Sequence, residues 1–248
     1  MKRLCLALFT VLLFAGFAQA EDKTLIVAHD ATWPPMEFIN KETKQVMGYS
    51  VDYIDAVAKE GGFKVVHKNV AWDGIFAGLE NGNYNVIASS VTITEERSKQ
   101  YDFTIPYYTV RQAVVTSKDS TAATLDDLKG KTLGGQLGTT GYFAIKNIPD
   151  AKAKSYDEIG LAMEDLFNGR IDGVVCDDPV AVQYALMQEE YKAKLKVAFI
   201  IPTDTPEEYG FVIRKGDKEA LDLMNKGIQA VKDKGIEKEL QTKWFPDK

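Results

Sequence analysis

Along this chain the apolar positions switch repeatedly between alternation and a spacing of three to four, and each switch marks an element. The run "TLIVAHD" (24–30) is short, apolar and β-branched, which predicts a strand that ends at Asp30. In "VDYIDAVAKEGG" (51–62), Val51, Ile54, Val57 and Ala58 share one helical face, and Gly61 and Gly62 stop the helix. The pattern recurs as strand "FKVVHKNV", helix "WDGIFAGLENG" and strand "NYNVIASS", with Asp73 the expected N-cap and Gly82 the expected terminator of the helix. Strands alternating with helices predict a parallel α/β sheet covered by helices.

A second series follows "PYYTVRQAVV". It reads as a helical turn "TLDDLKG", a strand "KTLGGQ" and a Gly/Thr-rich turn "LGTTGYFAIK". In "SYDEIGLAMEDLFNGR", Ser155 and Glu158 suggest a capping box, Ile159, Ala162, Met163 and Leu166 line one face, and Asn168-Gly169 closes the helix. Strand "IDGVVCD" comes next, then a helix with Asp178 as N-cap and Pro179 in its first turn. From Asp217 the tail is helical, with Leu221, Met224, Ile228 and Val231 three or four apart. Two series imply two α/β lobes rather than one continuous sheet.

The first twenty residues belong to neither series. They carry Lys2 and Arg3, an apolar stretch from Leu4 to Phe17 broken by Thr10, and small residues at Ala18 and Ala20. That composition predicts a secretory signal peptide cut before Glu21. The apolar stretch is shorter than the roughly 20 residues a membrane span requires. Cleavage would remove two of the 30 basic side chains and none of the 36 acidic ones, shifting the formal net charge from −6 to −8. An acidic chain of this kind does not suit nucleic acid, whose phosphates need a basic face. Cys5 would leave with the signal, so Cys176 has no partner for an internal disulfide and stability rests on the core.

Several motifs fall short of the chemistry they resemble. "GKT" (130–132) lacks the upstream glycine of a phosphate loop, since Leu125 stands there. "GYSVD" (48–52) has Asp52 where a nucleophile elbow needs glycine, and "GGQLGTTG" lacks dinucleotide-binding spacing. His29 and His67 are not spaced as ligands on one helix, so neither a metal nor a cofactor is expected.

The chemistry gathers at strand ends instead. Ser89 and Ser90 close "NVIASS", Thr92 follows, and Thr94 caps a helix with Glu95, Glu96 and Arg97 in its first turn. A cation at the positive end of a helix dipole needs an anion nearby, either an acid of the protein or a bound carboxylate. Asp177 ends the corresponding strand of the second series and supplies the opposite charge. A cleft holding both suits a zwitterion, most simply an α-amino acid. Trp33 and Trp72, each in a loop after a strand, suggest a stacking clamp for an apolar or cationic side chain.

The segments "DATWPPMEF", "GYSVDYIDAVA", "SSVTITEERSKQYDFT", "LKGKTLGGQLGTTG", "LFNGRIDGVVCDDPVAVQY" and "YGFVIRKGD", taken in order, resemble the periplasmic amino-acid-binding proteins of ABC uptake systems, solute-binding family 3. The likeness spans the whole mature chain and is strongest for members that bind lysine, arginine, ornithine, histidine or glutamine. It implies a type II two-lobed α/β fold, each lobe a mostly parallel sheet flanked by helices, with residues 21–109 and 210–248 in lobe 1 and 110–209 in lobe 2. The crossings would fall near 109–112 and 202–209. It further implies that Arg97, Thr92, Ser90 and Thr140 hold an α-carboxylate, that Ser90 and Asp177 hold an α-ammonium, and that Asp30, Trp33 and Trp72 meet the side chain. Ser89 and Gln136 complete the expected ligand set, Gln136 at a position that varies among specificities. A monomer that delivers its ligand to an ABC permease from the periplasm is the implied partner relation. The competing reading is a cyclohexadienyl dehydratase on the same fold, with Asp30 or Asp177 as proton donor.

Overall fold

The computed structural model describes residues 23–245, and the signal peptide expected at residues 1–20 lies outside them. Strand β1 (Thr24–His29) leads into a small sheet of β2 (Thr32–Trp33), β3 (Glu37–Ile39) and β4 (Val46–Met47). There follow α1 (Tyr49–Gly61), β5 (Lys64–Asn69), α2 (Ile75–Glu80), β6 (Val86–Ile87), α3 (Glu95–Gln100) and β7 (Tyr101–Phe103). Next come β8 (Tyr108–Val110), β9 (Gln112–Ser117), β10 (Thr132–Gln136), α4 (Thr140–Lys146), β11 (Lys152–Tyr156), α5 (Ile159–Phe167) and β12 (Gly173–Asp177). The described chain closes with α6 (Asp178–Val182), α7 (Glu189–Lys192), β13 (Leu195–Ile200), β14 (Glu207–Tyr209), β15 (Val212–Arg214), α8 (Lys218–Asp233) and α9 (Ile236–Trp244).

The main strands form two five-stranded sheets, ordered β5-β1-β6-β15-β7 and β11-β10-β12-β9-β13. In each, the βα repeats read from the sequence supply the parallel pairings, β1 with β5 and β6 in one and β10 with β11 and β12 in the other. Strands β15 and β9 add antiparallel neighbours, so the sheets are mixed. Between the two sheets runs an antiparallel ribbon of β8 and β14. The strand ends that carry Asp30, Ser89, Gln136 and Asp177 are carboxyl ends of parallel strands, the edge where α/β sheets open toward ligands.

Packing follows the apolar spacing. Val51, Ile54, Val57 and Ala58 of α1 are buried, as are Ile159, Ala162, Met163 and Leu166 of α5. Burial of each large side chain contributes about 1.5–3 kcal/mol. Helix α8 packs on α1 through Met224, Ile228 and Val231, and Gly227 makes the close approach possible: a Cβ there would lie 2.4 Å from the Val57 carbonyl oxygen.

Three expected caps are placed differently. Helix α2 is entered through Gly74, left-handed at φ 88°, with Ile75 N–H bonding the Trp72 carbonyl, so the backbone turn replaces an Asp73 cap. Ser155 is drawn into β11 by pairing with Gly135, which leaves Glu158 as N-cap of α5 without a side-chain bond. Asp177, extended at the end of β12, is the N-cap of α6, and Asp178 is its first residue. Thr94 caps α3 as expected, its hydroxyl accepting from Arg97 N–H.

Candidate functional site

Asp30 emerges where β1 ends, and its backbone N–H donates to Ser89 Oγ at 2.8 Å, tying together the ends of β1 and β6. Its carboxylate accepts from the Thr32 hydroxyl at 3.0 Å and from Gln136 Nε2 at 2.8 Å, the latter reaching across from the second sheet. Burial raises its pKa above the usual value, a rise those two donors reduce.

Trp33 lies on β2, not in a loop, and pairs with Glu37 of β3. Directly opposed residues of an antiparallel pair project to the same side, which carries Glu37 to the cavity beside Trp33. Glu37 is wholly buried. It accepts from Ser90 Oγ at 3.0 Å through one oxygen, while Oε1 has no hydrogen-bond partner, and neither has Trp33 Nε1. Burial holds the Glu37 carboxyl well above the ordinary carboxylate range. Ser90 itself adopts a left-handed backbone at φ 48°, a strained conformation for serine that turns the chain out of the strand and sets its hydroxyl over Glu37.

Arg97 is fixed by its surroundings rather than by an acid. Nη1 donates to the Thr92 carbonyl at 2.8 Å and Nη2 to the Gly138 carbonyl at 3.0 Å, the second bond crossing to the other sheet's side. The guanidinium carbon lies 5.8 Å from the centre of the Trp72 ring and 5.6 Å from that of Phe76. Among the described residues Arg97 closes no salt bridge; burial lowers its pKa, and the charges of Asp177, Glu207 and Glu96 oppose that.

From the second sheet come Gln136, at the end of β10, and Thr140, the first residue of α4, whose cap is Thr139. Asp177 ends β12 opposite Gln112 of β9, and Gln112 Nε2 donates to Asp177 Oδ1 at 2.5 Å while the Tyr209 hydroxyl donates to Oδ2. Burial pushes the Asp177 carboxyl up to about 7, and Glu207 adds to the rise, against those two donors.

All ten residues expected from sequence, Asp30, Trp33, Trp72, Ser89, Ser90, Thr92, Arg97, Gln136, Thr140 and Asp177, line one narrow cavity between the two sheets, together with Glu37 and Thr139. Glu37, Gln112 and Tyr209 escaped the sequence reading. An acid flanked by Met36 and Phe38 just after a Pro-Pro turn was the available signal for Glu37. His29 and His67 do meet, at 2.9 Å across adjacent strands, yet among the described residues no group of three His, Cys, Asp or Glu could hold a metal. Cys176 is a free, buried thiol. A larger groove of about 470 Å³, edged by Lys232, Glu237 and Lys238, shares none of the ten. Chemically, the cavity offers a fixed cation backed by the Trp72 indole and flanked by hydroxyl donors, the buried acid Asp177 from the second sheet, and the acids Asp30 and Glu37 with the Trp33 indole.

The model of the bacterial extracellular solute-binding proteins, family 3, matches residues 25–247. The chain belongs to this family. It is 34% identical over 252 residues to "ABC transporter arginine-binding protein 1" of Escherichia coli (strain K12), covering 99% of this chain and 100% of the relative. It is 32% identical over 227 residues to a "Probable histidine-binding protein" of Neisseria gonorrhoeae, covering 90% and 83%. Among solved structures, "An ancestral arginine-binding protein bound to arginine" is 37% identical with a TM-score of 0.82, covering 90% of this chain and 98% of that one. The fold is therefore the two-lobed type II binding-protein fold. The named relatives are histidine-, arginine- and cystine-binding proteins, and this solute-binding protein is not an enzyme.

Proposed function

We propose that the protein captures a free L-amino acid with a cationic side chain, arginine foremost, and delivers it as a monomer from the periplasm to an ABC permease after its signal peptide is removed. The observation that carries the choice of ligand is the pair of buried acids, Asp30 and Glu37, in one cavity with the Trp33 indole that pairs with Glu37. Two carboxyls with raised pKa values and an unpartnered oxygen favour a multi-donor cation such as a guanidinium, which fits their acceptors and stacks on indole. At the opposite end Arg97, with Thr92 and Thr140, takes the α-carboxylate, while Asp177 and Ser90 take the α-ammonium. Ser89 braces Asp30, and Gln136 sets that carboxylate's orientation. Arginine-binding and histidine-binding relatives support this class.

Lobe 1 is taken as residues 21–109 and 210–248 and lobe 2 as 110–209, with the β8 and β14 ribbon as the hinge. Closing the lobes removes water from the ligand and strengthens every charged contact around it. The test is a thermal-shift series on protein stripped of ligand by unfolding and refolding. Arginine, then lysine or histidine, should raise the melting temperature with concentration. An equal or larger rise with cystine or glutamine would reject the cationic choice, and no rise with any amino acid would reject capture itself.

A further inference from the structure

Glu207 stands outside the ligand set just described, yet it is bonded to that set's carboxylate donors. It sits at the start of β14, opposite Val110 of β8. Its Oε2 accepts from Thr140 Oγ1 at 2.7 Å, Thr92 Oγ1 at 3.1 Å and Gln112 Nε2 at 3.2 Å. Its charge also helps keep the Arg97 guanidinium protonated. A carboxylate that accepts hydrogen bonds from hydroxyls of both lobes beside a buried arginine has the surroundings an amino acid's own carboxylate would seek.

A threonine hydroxyl has one proton to give. Thr92 and Thr140 cannot donate to Glu207 and to a second carboxylate at once, and two carboxylates brought to the same donors repel. We propose that Glu207 is an internal competitor for the anion subsite. It bridges Thr92 of one lobe to Thr140 of the other, and a ligand must bring its own carboxylate to displace it. Glu207 thus acts without touching the ligand: it sets how tightly any amino acid binds, because each must displace it from Thr92 and Thr140. This inference rests on the amino-acid reading above for its first test and stands apart from it in the second.

The first test compares L-arginine binding by calorimetry to stripped wild-type protein and to Glu207→Gln, whose near-identical shape preserves the fold, checked by a urea melt. The Gln variant should bind about tenfold more tightly. Equal or weaker binding by the variant overturns the proposal, weaker binding meaning that Glu207 grips the ligand. The second test uses Glu207→Ala and sodium acetate, with sodium chloride matching ionic strength. Acetate should raise the melting temperature of the Ala variant more than that of wild type, because it fills the site the lost carboxylate held. An equal response in the two proteins, or none in either, overturns the proposal. If wild type binds no amino acid, the acetate test still decides the role of Glu207, so failure of the capture reading remains distinguishable.

Discussion

The two ends of the cleft are built on different principles. At the Arg97 end each charged group is already held: two carbonyls fix the guanidinium, and Gln112 and Tyr209 fix the two oxygens of Asp177. At the Glu37 end, Glu37 Oε1 and Trp33 Nε1 are buried without partners, against the single orphaned amide oxygen of Gln112 beside Asp177. A buried polar atom left unbonded costs about 1–3 kcal/mol, a cost a matching ligand group removes. The end that would read what all amino acids share therefore has its charged groups preorganised, and the end that would tell them apart carries an unsatisfied carboxylate oxygen and an unsatisfied indole N–H. Affinity should reside mainly at the first and discrimination at the second.

Removing the fixed cation breaks this contrast most severely. Arg97→Ala should weaken arginine binding by at least about 1000-fold in calorimetry, since a bidentate charged contact and the alignment of Thr92 and Gly138 go together. A loss below about tenfold would show that backbone amides and hydroxyls suffice for the carboxylate.

Asp177→Asn comes next, with an expected loss of about 100-fold. The same change should stabilise the fold. With its carboxyl at about 7 in the native protein, above the usual 3.8, Asp177 keeps its proton where the unfolded chain has lost it. Its burial therefore lowers stability as pH rises from about 4 to 7, and the Asn variant should be more stable by about 1–2 kcal/mol in urea melts at pH 8. Wild-type affinity should fall as pH drops below about 7, because the ammonium needs the ionised form. Pairing of wild-type stability at pH 8 with unchanged affinity in the variant would remove Asp177 from the site.

The smallest effect sharpens the comparison at the other end. Glu37→Gln should reduce arginine affinity by about tenfold and glutamine affinity by less than about threefold, converting a cation site into a neutral one. Equal losses for the two ligands would mean that Glu37 supports the cavity without selecting its occupant.

Strand ends were legible from sequence because a polar residue directly after an apolar run has only one place to go, the sheet's open edge. Asp30, Ser89, Ser90 and Asp177 were found that way, Thr94 marked the helix that carries Arg97, and Gln136 entered only through the family resemblance. Residues that enter by pairing between distant segments were not legible. Gln112 reaches Asp177 because β9 runs antiparallel beside β12, and Tyr209 arrives beside Thr92 through a single bridge. Ser155 failed as a cap because its sheet bonds to β10 won over a local one.

By itself the sequence determined the alternation of strands and helices, the faces of α1, α5 and α8, and which residue types would stand at the strand ends. These follow from local periodicity and from hydrogen bonds between near neighbours. Only the tertiary structure decided that β15 would join the first sheet, and β9 the second, as antiparallel strands. It alone brought Gln136 to Asp30, Glu37 to Ser90 and Glu207 to both Thr92 and Thr140. The reason is that a polar side chain's partner inside a fold is chosen by strand register and burial, and neither quantity is carried by the residues adjacent to it in the chain.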